Sequence, residues 1–138
     1  MIRPLLALSC ALALAACQSG EESEVGAFDG IAESETIRLT GTEPFWGGEI
    51  ADGTMTYTTP DNPAGAEVPV ERFAGFNGLA FSGEMDGRNF DLTITPTECS
   101  DGMSDRTYPY AATLMVDGEQ RSGCAWTEAQ PFTGPENP

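Results

Sequence analysis

Leu79-Ala80-Phe81-Ser82-Gly83-Glu84-Met85-Asp86-Gly87-Arg88-Asn89-Phe90-Asp91-Leu92-Thr93-Ile94-Thr95 decides the fold of this chain. Leu79, Phe81 and Gly83 recur with period two, as do Phe90, Leu92 and Ile94. Successive strand side chains point to opposite faces, so each run reads as a strand with one buried face. Between them stands Asp86-Gly87, a dipeptide that tolerates the positive φ angles of a tight hairpin turn. The same dipeptide occurs twice more between strand-like runs. Asp52-Gly53 joins Trp46–Ala51 to Thr54–Thr58, and Asp117-Gly118 joins Ala112–Val116 to Glu119–Ala125. Thr36–Thr40 alternates with Ile37 and Leu39 on one face. Val68–Phe73 reads as a further strand, which Pro69 would confine to a sheet edge because proline donates no ladder hydrogen bond. Pro60–Gly65 reads as a loose connection, and no window carries a sustained 3.6-residue repeat. The nearest approach to a helix is a turn or two over Ser104–Ala112, limited by Pro109. The expectation is an all-β, mainly antiparallel fold: a small barrel or sandwich of about eight strands, with one short helical insertion inside Pro96–Ala111.

Upstream, Met1-Ile2-Arg3 and the Leu/Ala-rich run Leu5–Leu14 have the order of a signal peptide, too short to span a bilayer as a helix. The run ends in Leu14-Ala15-Ala16-Cys17, which resembles the lipobox of bacterial lipoproteins. The resemblance implies cleavage before Cys17, lipid on its thiol and new amino group, and a membrane partner reached through that lipid. Gln18 follows the cysteine where Asp would favour inner-membrane retention, so the implied location is the outer membrane, facing the periplasm. This divides the chain into a signal peptide (1–16), a lipidated Cys17 with an acidic flexible tether (17–35), a β domain (36–130) and a Pro-rich tail (131–138). Of four cysteines, Cys10 would leave with the signal peptide and Cys17 would carry lipid. Cys99 and Cys124 remain, 25 positions apart, and in an oxidising envelope their default is a disulfide. The alternative, a redox or metal-binding pair, lacks CxxC spacing and histidine.

The formal charge is −16, from 22 acidic against 6 basic residues, and the chain holds neither His nor Lys. So acidic a chain is repelled by nucleic acid, which is excluded as a partner. Without His there is no imidazole base, Cys-His pair or Ser-His-Asp triad, and without Lys no amine nucleophile. No catalytic residue, metal site or cofactor is expected.

Gly75-Phe76-Asn77-Gly78-Leu79-Ala80-Phe81-Ser82-Gly83, a Gly-turn hairpin, Thr95-Pro96-Thr97-Glu98-Cys99 and a last hairpin through Asp117-Gly118 follow one another. This order is similar to the META domain of bacterial heat-shock-type envelope lipoproteins, which implies a META-like barrel. Gly41-Thr42-Glu43-Pro44-Phe45-Trp46 and Cys99-Ser100-Asp101-Gly102-Met103-Ser104-Asp105-Arg106-Thr107-Tyr108-Pro109-Tyr110 are sharper strings. Together they resemble an uncharacterised family of Gram-negative envelope lipoproteins with GTEPFW and CSDGMSDRxYPY signatures. That resemblance implies a lipid-anchored, periplasm-facing domain and brings no activity with it. The candidate binding residues are Phe45, Trp46, Asp101, Asp105, Arg106, Tyr108 and Tyr110.

For Phe45 and Trp46, one aromatic plugging the barrel and one on its rim competes with an exposed aromatic platform. Asp105 and Arg106 read most simply as an ion pair pinning the insertion. Tyr108-Pro109 is a candidate cis bond. The function expected is a non-catalytic binding or envelope-maintenance role, with an envelope protein or a small ligand as possible partner. The alternative is a small-molecule or divalent-cation module using the Cys99–Tyr110 loop. A carboxylate hydrolase built on Glu98 with Asp101 or Asp105 comes third.

Overall fold

A computed structural model describes residues 26–136; the expected signal peptide, Cys17 and the start of the expected tether lie outside them. Eight antiparallel strands close into a barrel in simple sequence order: β1 (Ile37–Thr42), β2 (Phe45–Ala51), β3 (Thr54–Thr59), β4 (Asn62–Gly75), β5 (Gly78–Met85), β6 (Arg88–Thr95), β7 (Tyr110–Val116) and β8 (Glu119–Trp126), with β8 returning to β1. The three Asp-Gly turns make the tight reversals. Asp52, Asp86 and Asp117 sit at φ 50°, 53° and 53°, each followed by a glycine at 74–75°. Positive φ at both central residues matches the turn to the strands' right-handed twist.

The buried residues alternate along most of the strands, and the inward set fills the interior: Ile37 and Leu39, Trp46 and Ile50, Met55 and Tyr57, Leu79 and Phe81, Phe90, Leu92 and Ile94, Leu114 and Val116. An eight-stranded barrel is just wide enough for side chains to fill it. The outer positions are polar, as in Asn89, Asp91 and Thr93 of β6. That is the inverse of a membrane-spanning barrel, whose outer face is apolar.

Three expectations are corrected. Pro69 does not mark an edge, because a closed barrel has none. It lies midway along the 14-residue β4, whose first part pairs with β3 as far as Thr54↔Pro69 and whose second pairs with β5 from Val70↔Gly83. The missing N–H falls where the strand changes partners, and the Gly53 carbonyl takes the next one, from Val70. Pro60–Gly65 is no loose connection, since β4 already begins at Asn62 and absorbs an irregularity between Tyr57 and Thr59. Finally, no helix forms among the described residues. Ser104–Ala112 is turn and then strand, because the Asp101 carboxylate captures the N–H groups of Met103 and Ser104 and β7 starts at Tyr110.

The packed unit also begins before the boundary expected at residue 36. Ile31 is 1% exposed and belongs to the core, and Phe28 packs edge-on to Tyr110. Residues 28–35 cross the end of the barrel where β4 ends and β5 begins. The Phe28 N–H donates to Gly75 O, Arg72 Nη2 and the Tyr110 hydroxyl donate to the carbonyls of Ile31 and Gly30, and the Thr127 hydroxyl donates to Glu35. At the opposite end Trp46 closes the interior. Its indole N–H donates to Ser122 O at 3.1 Å, and the ring lies where Gly41 and Gly123 would otherwise carry a Cβ.

Candidate functional site

The insertion between β6 and β7 is a folded strap on the outer wall of the barrel. Cys99 and Tyr108 exchange two backbone hydrogen bonds at 2.8–2.9 Å, closing residues 99–108 into a hairpin-like excursion. Cys99 is bonded to Cys124, their Cα atoms 5.7 Å apart. Cys124 alternates with the inward-facing Ala125, so the disulfide fastens the strap to the outside of β8. Thr107 then exchanges two backbone bonds with Thr133, which lays the C-terminal segment alongside the strap.

Asp101 organises the excursion. One carboxylate oxygen accepts the N–H groups of Met103 and Ser104 at 2.9 and 2.8 Å. The other accepts the Ser104 hydroxyl at 2.6 Å and the Tyr108 hydroxyl at 3.3 Å. The carbonyl of Asp101 takes the hydroxyl of Thr42 on β1. Led by the Ser104 hydroxyl and against the cost of burial, these donors hold the Asp101 carboxyl at about 2. The side chain is engaged on both oxygens by its own loop.

Arg106 does not pair with Asp105. Its Nε donates to Pro135 O at 2.7 Å, its Nη2 donates to Glu136 O, and its guanidinium lies 4.2 Å from the centre of the Phe132 ring. A planar fork suits this double carbonyl contact over an aromatic face. Asp105 is exposed. Phe132 in turn packs on Tyr108 and Trp126, the three ring centroids 5.3–5.7 Å apart. Tyr108 is 2% exposed. This aromatic triad, with the disulfide, is a second small core outside the barrel.

The structure therefore separates the seven candidate residues. Trp46 and Tyr110 lie inside the barrel, Tyr108 lies inside the strap, and Asp101 and Arg106 hold the strap and the tail; only Phe45, 52% exposed, and Asp105 face solvent freely. Among the described residues the cis peptide is Glu43-Pro44, not Tyr108-Pro109.

Between the strap and the wall runs a groove of about 520 Å³. Thr40, Thr42, Thr113 and Ser122 line it with hydroxyls, Glu43 supplies a carboxylate and Met103 forms a rim that is 70% exposed. Phe45 stands directly across from Thr42 on β2. Sequence reasoning missed Met103 and the threonines. Alternation already put Thr40 on an outer face, but nothing in the sequence says that the insertion folds back over that face. No protein-family model, curated protein or solved structure shows a significant match to this chain.

Proposed function

We propose that this chain is an envelope lipoprotein, held to the outer membrane by lipid on Cys17, whose barrel is a non-catalytic binding module facing the periplasm. The anchor reading rests on Leu14–Cys17, outside the described residues. The observation that carries the binding reading is the groove under the strap, with hydroxyls along its floor, the exposed Met103 on its rim and the exposed Phe45 on the neighbouring strand across from Thr42. The barrel interior is filled by its own side chains, so a partner meets the protein on its outer wall. Exposed apolar groups around a hydrogen-bonding floor suit a segment of another protein, and the −16 charge favours a neutral or basic one. A photo-crosslinking residue in place of Met103 in growing cells tests this. A discrete protein adduct that is lost when Thr113→Arg fills the groove is the expected result. Absence of any adduct while the protein is lipidated and abundant rejects it.

A second reading, a small-molecule module in the same groove, is favoured by its volume, which falls within the ~300–1,000 Å³ of ligand pockets. A compound released on denaturing the purified protein, without a protein adduct in cells, decides for it. The divalent-cation form of this reading would need Asp101, whose oxygens are turned into its own loop.

A further inference from the structure

Two large apolar side chains that the binding site does not use lie at the end of the barrel where the chain enters. Phe73, near the end of β4, is 67% exposed, and Phe76, in the turn to β5, is 72% exposed. The Phe73 ring leans toward that turn, 3.5 Å from where a Cβ on Gly75 would stand. The carbonyl of the same Gly75 accepts the Phe28 N–H at 2.7 Å. The first described residue, Gly26, is two positions earlier, so the path back to Cys17 starts beside this patch. If the nine positions from Cys17 to Gly26 form the flexible tether their composition suggests, they would span roughly 15–18 Å r.m.s.. From Phe73 to Gly83 the chain carries no charge, in a protein with 22 acidic residues. Asp29, Glu33 and Glu35 of the segment that crosses this end are acidic, so the uncharged Phe73–Gly83 stretch is the part of it that an anionic bilayer repels least.

We propose that the Phe73–Phe76 end of the barrel rests on the bilayer to which Cys17 tethers the chain; this rests on the lipid-anchor reading above. The tether makes a weak apolar contact effectively intramolecular, so two phenylalanines suffice to bias which end faces the membrane. The groove under the strap lies on the side wall, away from the Phe76 turn, and stays open to the periplasm.

The test uses the full lipidated protein reconstituted into phosphatidylethanolamine–phosphatidylglycerol vesicles. A fluorophore is placed through Asn77→Cys in the turn or through Glu119→Cys at the opposite end. Mass spectrometry first establishes lipid on Cys17. The expected result is quenching by headgroup-proximal nitroxide lipids at position 77 several-fold stronger than at 119. Phe73→Ser with Phe76→Ser should abolish the difference while the protein stays on the vesicles. Both side chains are exposed, so that variant keeps its core. Equal quenching at both positions, or quenching at 77 that survives the double substitution, overturns the proposal and leaves the anchor standing. A Cys17 without lipid overturns both. Energy transfer between labelled copies at 77 without lipid quenching assigns the patch to a second copy and overturns the bilayer contact.

Discussion

The barrel interior and the outer strap are two cores built on different principles. Inside, Phe90, Leu92, Ile94 and Leu114 are wholly buried, each exchanging water for neighbours from several strands. Outside, residues 99–108 and the tail are held by one disulfide, one carboxylate hub, one guanidinium and three rings packed at tilted and edge-to-face angles. The first depends on area removed from water, roughly 25 cal/mol per Å², distributed over the whole barrel. The second depends on a few polar bonds whose geometry must be kept, as in any small network. Damage inside should spread to the whole molecule, whereas damage to the strap should stay there. The two tryptophans make this measurable. Trp46 reports the interior and Trp126 the strap, and variants retaining one or the other separate their signals in urea unfolding.

The largest effect is expected from Phe90→Ala. Its ring packs 5.5 Å from Tyr57 inside the barrel, and truncation of a buried Phe costs about 3–5 kcal/mol. Both tryptophan signals should fall together at lower urea. Separate transitions would show that the strap does not depend on the barrel.

Removing the disulfide with Cys99→Ala and Cys124→Ala comes next, at about 3 kcal/mol for a loop of this length. Here the two probes should part, the Trp126 transition moving further than that of Trp46. If they move equally, the strap and the barrel form one cooperative unit.

Asp101→Asn is expected to cost about 1–2 kcal/mol, from charge-assisted bonds replaced by weaker ones. The effect should depend on pH in a definite direction. The folded carboxyl sits at about 2, below its ordinary 3.8, so its stabilisation is complete above that ordinary value and is lost as pH falls from about 4 toward 2. The difference between native protein and Asp101→Asn should shrink across that window. A difference constant from pH 6 to pH 2 would mean that the carboxylate charge plays no part.

Arg106→Ala should have the smallest effect, about 1 kcal/mol, because its carbonyl partners are exposed. Its signature is local: faster amide exchange at Thr107 and Thr133, with the β6–β7 ladder unchanged. Arg106→Lys should recover less than half of the protection, since an ammonium cannot span both carbonyls in one plane. Unchanged exchange at Thr133 in Arg106→Ala would show that the strand bridge alone holds the tail.

These differences also explain how far the sequence could be read. The hairpins were legible because Asp-Gly turns and period-two alternation are local. Each acts within a few residues, and each of the three turns adopts the conformation its dipeptide favours. The Cys99–Cys124 pairing was legible by elimination. Phe28 and Ile31 misled because two apolar residues in an acidic stretch resemble a tether, and only the open barrel end gives them somewhere to pack. Arg106 misled because its nearest carboxylate in sequence, Asp105, is not its partner; the carbonyls it uses are 29 and 30 residues away. The site was the least legible part. Of the seven candidates, only Asp101 lines the groove, with both carboxylate oxygens engaged by its own loop, while the exposed Phe45 lies on the next strand across from Thr42.

By itself the sequence determined the strand content, the three tight reversals, the absence of imidazole and amine chemistry, and which face of each clear strand is apolar, because these follow from residue type and spacing. Only the tertiary structure decided that the sheet closes into a barrel, that Trp46 rather than Phe45 enters it, that residues 28–35 close one end, and that the insertion lies on the outer wall with the tail beside it. Those outcomes depend on contacts between residues far apart in the chain, such as Gly41 and Gly123 against one indole or Thr107 against Thr133. No local propensity encodes such contacts; they arise when closure brings β1 beside β8.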